Sequence, residues 1–193
     1  MVLVMPQGDY SYYVNAAGDR SRSYEDYIVQ DLLAHAEAEF PIAKGRATRA
    51  IIGVSMGGFG AINIALRHPD LFVFAGALSP AIDVARRQFS IRRVQQSWSL
   101  RSIFGPWGSE ARRQNDPFLL VGSVAAGRAP YVYVTCGTEE SLFPSNRAFA
   151  AVLAKDHVPS EFHSAAGGHD WTNWNRQLPV LFTCLRQHVG SGI

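Results

Sequence analysis

Along this chain, apolar runs of strand length alternate with stretches in which apolar residues return at helical spacing. Residues 2–5 are a short apolar run stopped by Pro6-Gln7-Gly8-Asp9, which predicts a first strand. Residues 10–22 are polar and aromatic without a period and predict a loop. Ser23, with Asp26 three residues on, predicts a capped helix start, and Ile28, Leu32, Ala36 and Phe40 carry the helical period to Pro41. A strand over 48–54, a helix over 57–67 that stops near Pro69, and a strand over 72–78 ending at Ser79-Pro80 follow. Further on, 131–135 has strong strand character, Ser145 caps a helix carrying Phe149, Val152 and Leu153, 160–164 is a short last strand and 178–189 a closing helix. Strands and helices in alternation imply an α/β domain with a mostly parallel sheet covered on both faces. Residues 82–122 break the pattern: Arg, Gln, Trp and Ser dominate, which predicts a helical excursion over the strand ends, a lid or pocket wall.

Composition narrows the class without naming it. The 193 residues, 47% hydrophobic and 18% charged, suit a single domain spanning 1–193 with a real core. A net charge of +2 gives no argument for nucleic acid, and Arg86-Arg87 with Arg92-Arg93 read as a solvated helix face or cap. Cys136 and Cys184 form neither a disulfide framework nor a metal-ligand spacing, so a reducing, cytoplasmic setting is expected, with no metal and no cofactor. No apolar run is long enough to span a bilayer, and residues 1–8 do not read as a signal peptide.

The chemistry enters at residues 50–61, AIIGVSMGGFGA. An apolar β-branched run meets Gly53-Val54-Ser55-Met56-Gly57, and an Ala/Ile/Leu-rich helix follows. The pentapeptide fits G-x-S-x-G, the nucleophile elbow of α/β-hydrolases. A serine at the apex of a strand-to-helix turn is strained and exposed; side chains two residues to either side would strike the chain crossing itself, so glycine is expected at both places. The helix aims its first amides, the Met56 N–H foremost, where negative charge will develop. A phosphate-binding glycine turn is the competing reading, and both G-x-G-x-x-G and a phosphate-loop Lys-Ser/Thr pair are absent.

Nucleophile, acid and histidine follow in that order along such chains. His169 sits after Ala165-Ala166-Gly167-Gly168, a flexible loop between the last strand and the last helix, where an imidazole can reach the elbow. His68 reads as a helix cap, His35, His157 and His188 as solvated, and His163 as structural. The acid is expected just after the strand at 131–135, where Glu139 and Glu140 both qualify. Trp98, Trp107, Trp171 and Trp174 are candidate pocket aromatics, with Trp171 and Trp174 favoured for substrate binding because they follow His169 closely.

Several motifs together resemble one family. Val4-Met5-Pro6-Gln7-Gly8, Tyr24-Glu25-Asp26-Tyr27, the elbow through Ala61, His68-Pro69-Asp70-Leu71-Phe72, Asn115-Asp116-Pro117, Cys136-Gly137-Thr138-Glu139 and Gly167-Gly168-His169-Asp170-Trp171 are similar to the esterase D-type α/β-hydrolases. That group includes S-formylglutathione hydrolases, acetyl and feruloyl esterases and antigen 85 mycolyltransferases. The resemblance implies serine hydrolysis of a small-molecule ester or thioester, with Ser55 as nucleophile, His169 as base and the acid, usually Asp, falling on Glu140. An acyltransferase of the same fold and a non-catalytic hydrolase-like binding protein are the alternatives. The family carries further strands first, with a His-Gly loop that supplies a second oxyanion amide, and this chain begins at what resembles the fourth strand. The chain is therefore expected to be incomplete, with residues 2–5 unpaired or set against 48–54, and with an open apolar sheet edge that favours homo-oligomers.

Overall fold

A computed structural model describes residues 1–88, 90–91, 94–125 and 127–190. Four parallel strands form one sheet in chain order: β1 (Ala50–Val54), β2 (Phe74–Leu78), β3 (Tyr131–Gly137) and β4 (Ser160–Ala165). Ala50 stands opposite Phe74, Phe74 opposite Tyr131 and Val132 opposite Ser160, so every strand ends on the same side of the molecule. In an open parallel sheet that carboxyl edge is where sites are built.

Alternation along the strands assigns the faces. Ala75 and Ala77 of β2, with Val132 and Val134 of β3, look toward three helices: α1 (24–39), α2 (Met56–Arg67) and α3 (Phe143–Lys155). The small β2 side chains let α2 approach closely, and α2 is buried without interruption from Gly58 to Leu66. Phe74 and Leu78 of β2 with Tyr133 of β3 look the other way, onto Trp174, Leu181 and Leu185 of the closing helix (Trp171–His188). Within α1, residues Tyr27–Leu32 are wound as a π-helix between α-helical ends. The Ser23 carbonyl accepts the Tyr27 N–H at its start, and Asn15 Oδ1 accepts that of Asp26.

Among the described residues of the excursion at 82–122, helices run over Val94–Phe104, Glu110–Gln114 and Pro117–Leu120. Its inner face is core: Leu100, Ile103 and Phe104 pack with Tyr12, Phe59 and Val84. Arg112 fastens it from within, donating to the carbonyls of Gly105, Ala85 and Arg87. The arginines read as a solvated cluster are tied down: Arg86 pairs with Asp116 and lies over the Phe118 ring, and Arg87 pairs with Asp83. Arg92 and Arg93 lie outside the described residues.

Three expectations are corrected. Residues 2–5 are exposed and form no strand, because an apolar run becomes a strand only where a neighbour takes up its N–H and C=O groups. Ser145 is not a cap. The helix begins at Phe143, and the Ser145 hydroxyl, inside its first turn, donates to the Leu142 carbonyl. The closing helix starts at Trp171, well before 178, because Asp170 caps it by accepting the Asn173 N–H, and Pro179 is held inside it. Among the described residues, no helix is long and apolar enough to cross a membrane.

Candidate active site

Ser55 is the single residue between β1 and α2, with φ 54° and ψ −110°. A non-glycine residue there is strained by about 1–3 kcal/mol and must be held in place by its surroundings. Its N–H donates to the Leu78 carbonyl (2.8 Å), and its own carbonyl accepts from Phe59 and Ala81 (both 3.1 Å). A Cβ on Gly53 would lie 2.1 Å from the Gly57 carbonyl oxygen, so the first glycine is demanded by the crossing chain. The second is not. A Cβ on Gly57 would meet only Tyr13 Cε2, at 3.7 Å, whereas one on Gly58 would lie 3.1 Å from Pro80 Cβ and 3.2 Å from the Gly53 oxygen. The tight approach expected at Gly57 falls one residue later because α2 has already begun to turn.

His169 projects from the loop between β4 and the closing helix and reaches Ser55 across 114 residues of sequence. Its Nε2 lies 2.8 Å from Ser55 Oγ and its Nδ1 lies 2.6 Å from Glu140 Oε2. A carboxylate facing Nδ1 favours the tautomer with the proton there, which leaves Nε2 to accept from the serine hydroxyl. The two candidate acids separate cleanly: the Glu140 side chain is wholly buried against the histidine, while Glu139 is exposed. The longer glutamate is accommodated by a close backbone approach, since the Gly137 N–H donates to Glu140 Oε1 (2.8 Å) and a Cβ on Gly137 would lie 2.8 Å from that oxygen. Met56 is the first residue of α2, where helix geometry supplies no intrahelical acceptor for its N–H.

The tryptophans divide. Trp171 is 62% exposed and stands edge-on to Trp174. Trp174 is 8% exposed, packs edge-on to His169 with centroids 4.9 Å apart, and donates its Nε1–H to Ser79 Oγ. Trp98 and Trp107 are exposed on the excursion. Ser79 and Asn173, both within reach of Glu140, were not singled out from sequence, where Ser79 read only as a strand stop. Of the other histidines, His68 occupies the end of α2 and bonds Glu25, His163 stacks on Tyr133, and His35 and His157 are exposed. His188 differs from expectation: it is half-buried, its ring stacked on Tyr131.

The geometry now has a family. A family model described as Putative esterase matches residues 1–183. The chain belongs to that esterase family. It is 27% identical over 188 residues to an acetyl esterase of Caldicellulosiruptor saccharolyticus, covering 94% of this chain and 70% of that protein. It is 23% identical to a diacylglycerol acyltransferase/mycolyltransferase Ag85A of Mycobacterium leprae, covering 98% and 66%. Among solved structures, FphF, a fluorophosphonate-binding serine hydrolase of Staphylococcus aureus, superposes with a TM-score of 0.78 at 28% identity over 97% of this chain and 71% of that one. The S-formylglutathione hydrolase FrmB of the same organism gives 0.73 at 28% identity, over 92% and 68%. The chain thus spans roughly two thirds of the length of its relatives. Its fold is that of an α/β-hydrolase, and its class is the serine-esterase type of hydrolase.

Both thiols of this esterase are free and buried. Burial, and then the charge of Glu140, push Cys136 up to about 12; burial, and then Glu161, push Cys184 up to about 11. Neither thiol should react with Ellman's reagent near pH ~8 until the protein unfolds, because the thiolate is the reactive form. The sign for stability follows. An unfolded thiol loses its proton near 9.0 while the folded ones keep theirs to about 12 and 11, so stability falls as pH rises through that window. Thiol counting in native and denatured protein checks the first outcome, and melting midpoints across alkaline pH check the second.

Proposed function

We propose that this chain hydrolyses carboxylic esters or thioesters through Ser55, His169 and Glu140. Ser55 Oγ attacks the acyl carbonyl while His169 Nε2 takes its proton, and Glu140 holds the imidazole and stabilises the imidazolium. The Met56 N–H donates to the oxyanion at the positive end of α2. His169 then protonates the leaving alcohol or thiol, and water releases the acyl group by the reverse sequence. Trp171, exposed at the start of the closing helix two residues after His169, flanks the substrate. One observation carries this reading: the continuous chain from Ser55 Oγ to His169 Nε2 (2.8 Å) and from His169 Nδ1 to Glu140 Oε2 (2.6 Å).

A fluorophosphonate is expected to add to Ser55, and peptide mapping of the labelled protein checks it. A label on any other residue, or no label, ends the proposal. Glu140→Gln is expected to lower kcat for p-nitrophenyl acetate by about 10^4-fold, since an amide cannot hold the required tautomer. Initial rates of the purified variant measure this. The similarity to an acyltransferase favours a second reading, in which an alcohol replaces water. Product analysis with and without an acceptor alcohol separates the two.

A further inference from the structure

Ser79 directly follows β2, is fully buried and has a φ of 47°. A glycine there would be relaxed, so a buried serine in this conformation points to a use for its hydroxyl. Trp174 Nε1–H lies 2.9 Å from Ser79 Oγ, and Ser79 Oγ lies 2.5 Å from Glu140 Oε1. The direction of the chain is fixed by chemistry. An indole N–H only donates, so Ser79 accepts from Trp174 and its own proton goes to Glu140. Oε1 also receives the Gly137 N–H (2.8 Å) and faces Asn173 Nδ2 (3.4 Å), while Asn173 is itself held by the Gly168 carbonyl and Gln177. Oε1 is thus occupied by donors and Oε2 is left to His169. A glutamate has one more torsion to restrain than an aspartate, and this clamp restrains it.

We propose that Ser79 and Trp174 are positioning residues that act in series to lock the Glu140 carboxylate toward His169, an inference that rests on the Ser55–His169–Glu140 reading above. Trp174 contributes twice, because the ring that orients Ser79 also packs edge-on against the imidazole.

Ser79→Gly is the decisive variant, because glycine suits the backbone and removes the hydroxyl with only one carbon. With p-nitrophenyl acetate, kcat is expected to fall by about 10- to 100-fold with KM within about twofold, while the relaxed backbone partly offsets the cost of leaving the buried Trp174 N–H without its acceptor, and circular dichroism checks that the variant folds. Trp174→Phe keeps a ring beside the imidazole and removes the indole N–H, so it should lose less, and the double variant should be no slower than Ser79→Gly, since the lost N–H acted only through Ser79. The downfield imidazole N–H resonance of His169 should broaden or vanish in Ser79→Gly, a readout that needs no turnover. An unchanged kcat with an unchanged resonance overturns the inference, as do losses that multiply in the double variant. Failure of the triad reading looks different: fluorophosphonate does not add to Ser55 in the unaltered protein, and the resonance alone then decides whether Ser79 positions Glu140.

Discussion

Alanine at position 55 is expected to lower turnover of p-nitrophenyl acetate by about 10^5- to 10^6-fold. Among the described residues, both imidazole nitrogens are committed: His169 Nε2 faces Ser55 Oγ, and Nδ1 faces Glu140. Removing His169 as well should add little, because nucleophile and base act as one unit and their losses do not sum. The variant should fold as the parent does. Alanine inherits the same φ of 54°, and the backbone bonds to Leu78, Phe59 and Ala81 do not involve the hydroxyl. Initial rates against a buffer blank, with circular dichroism as the control, measure the outcome. A folded variant retaining even one per cent of the parent rate would remove Ser55 from the mechanism.

The second large effect concerns the backbone. Gly53→Ala is expected to cost more than about 4 kcal/mol, because its Cβ would meet the Gly57 carbonyl at 2.1 Å and the obstacle is main chain at a crossing that cannot yield. For a domain of this size the melting midpoint should fall by at least about 8 °C, with insolubility as the extreme outcome. Gly57→Ala is the matched control. Its Cβ would find only an ordinary contact at 3.7 Å, and alanine favours a helix, so it should fold with nearly the parent midpoint. Thermal melts of the two variants side by side test the asymmetry. Equal damage would show that the elbow constrains both glycines alike.

Much of the candidate site could be read in the sequence because its geometry is local. A strand, a strained serine and a helix are adjacent in the chain, so the turn between them leaves a contiguous pattern of apolar, glycine and small residues. The parallel α/β architecture was equally visible in the alternation of strands and helices. The edges of elements were less legible. Residues 2–5 have strand composition but no partner, and the closing helix begins at Trp171 because of a cap at Asp170 that its apolar period does not report.

The sequence by itself determined the strained strand-to-helix turn at Ser55, the alternation of strands and helices, and the loop that carries His169. Only the tertiary structure set Glu140 rather than Glu139 against His169, moved the second steric demand from Gly57 to Gly58, and joined Ser79 and Trp174 to Glu140. The division follows from where each constraint originates. Backbone strain is written in neighbouring residues, whereas the meeting of side chains from three strand ends and a helix depends on how the sheet is packed, and no short stretch of sequence encodes that.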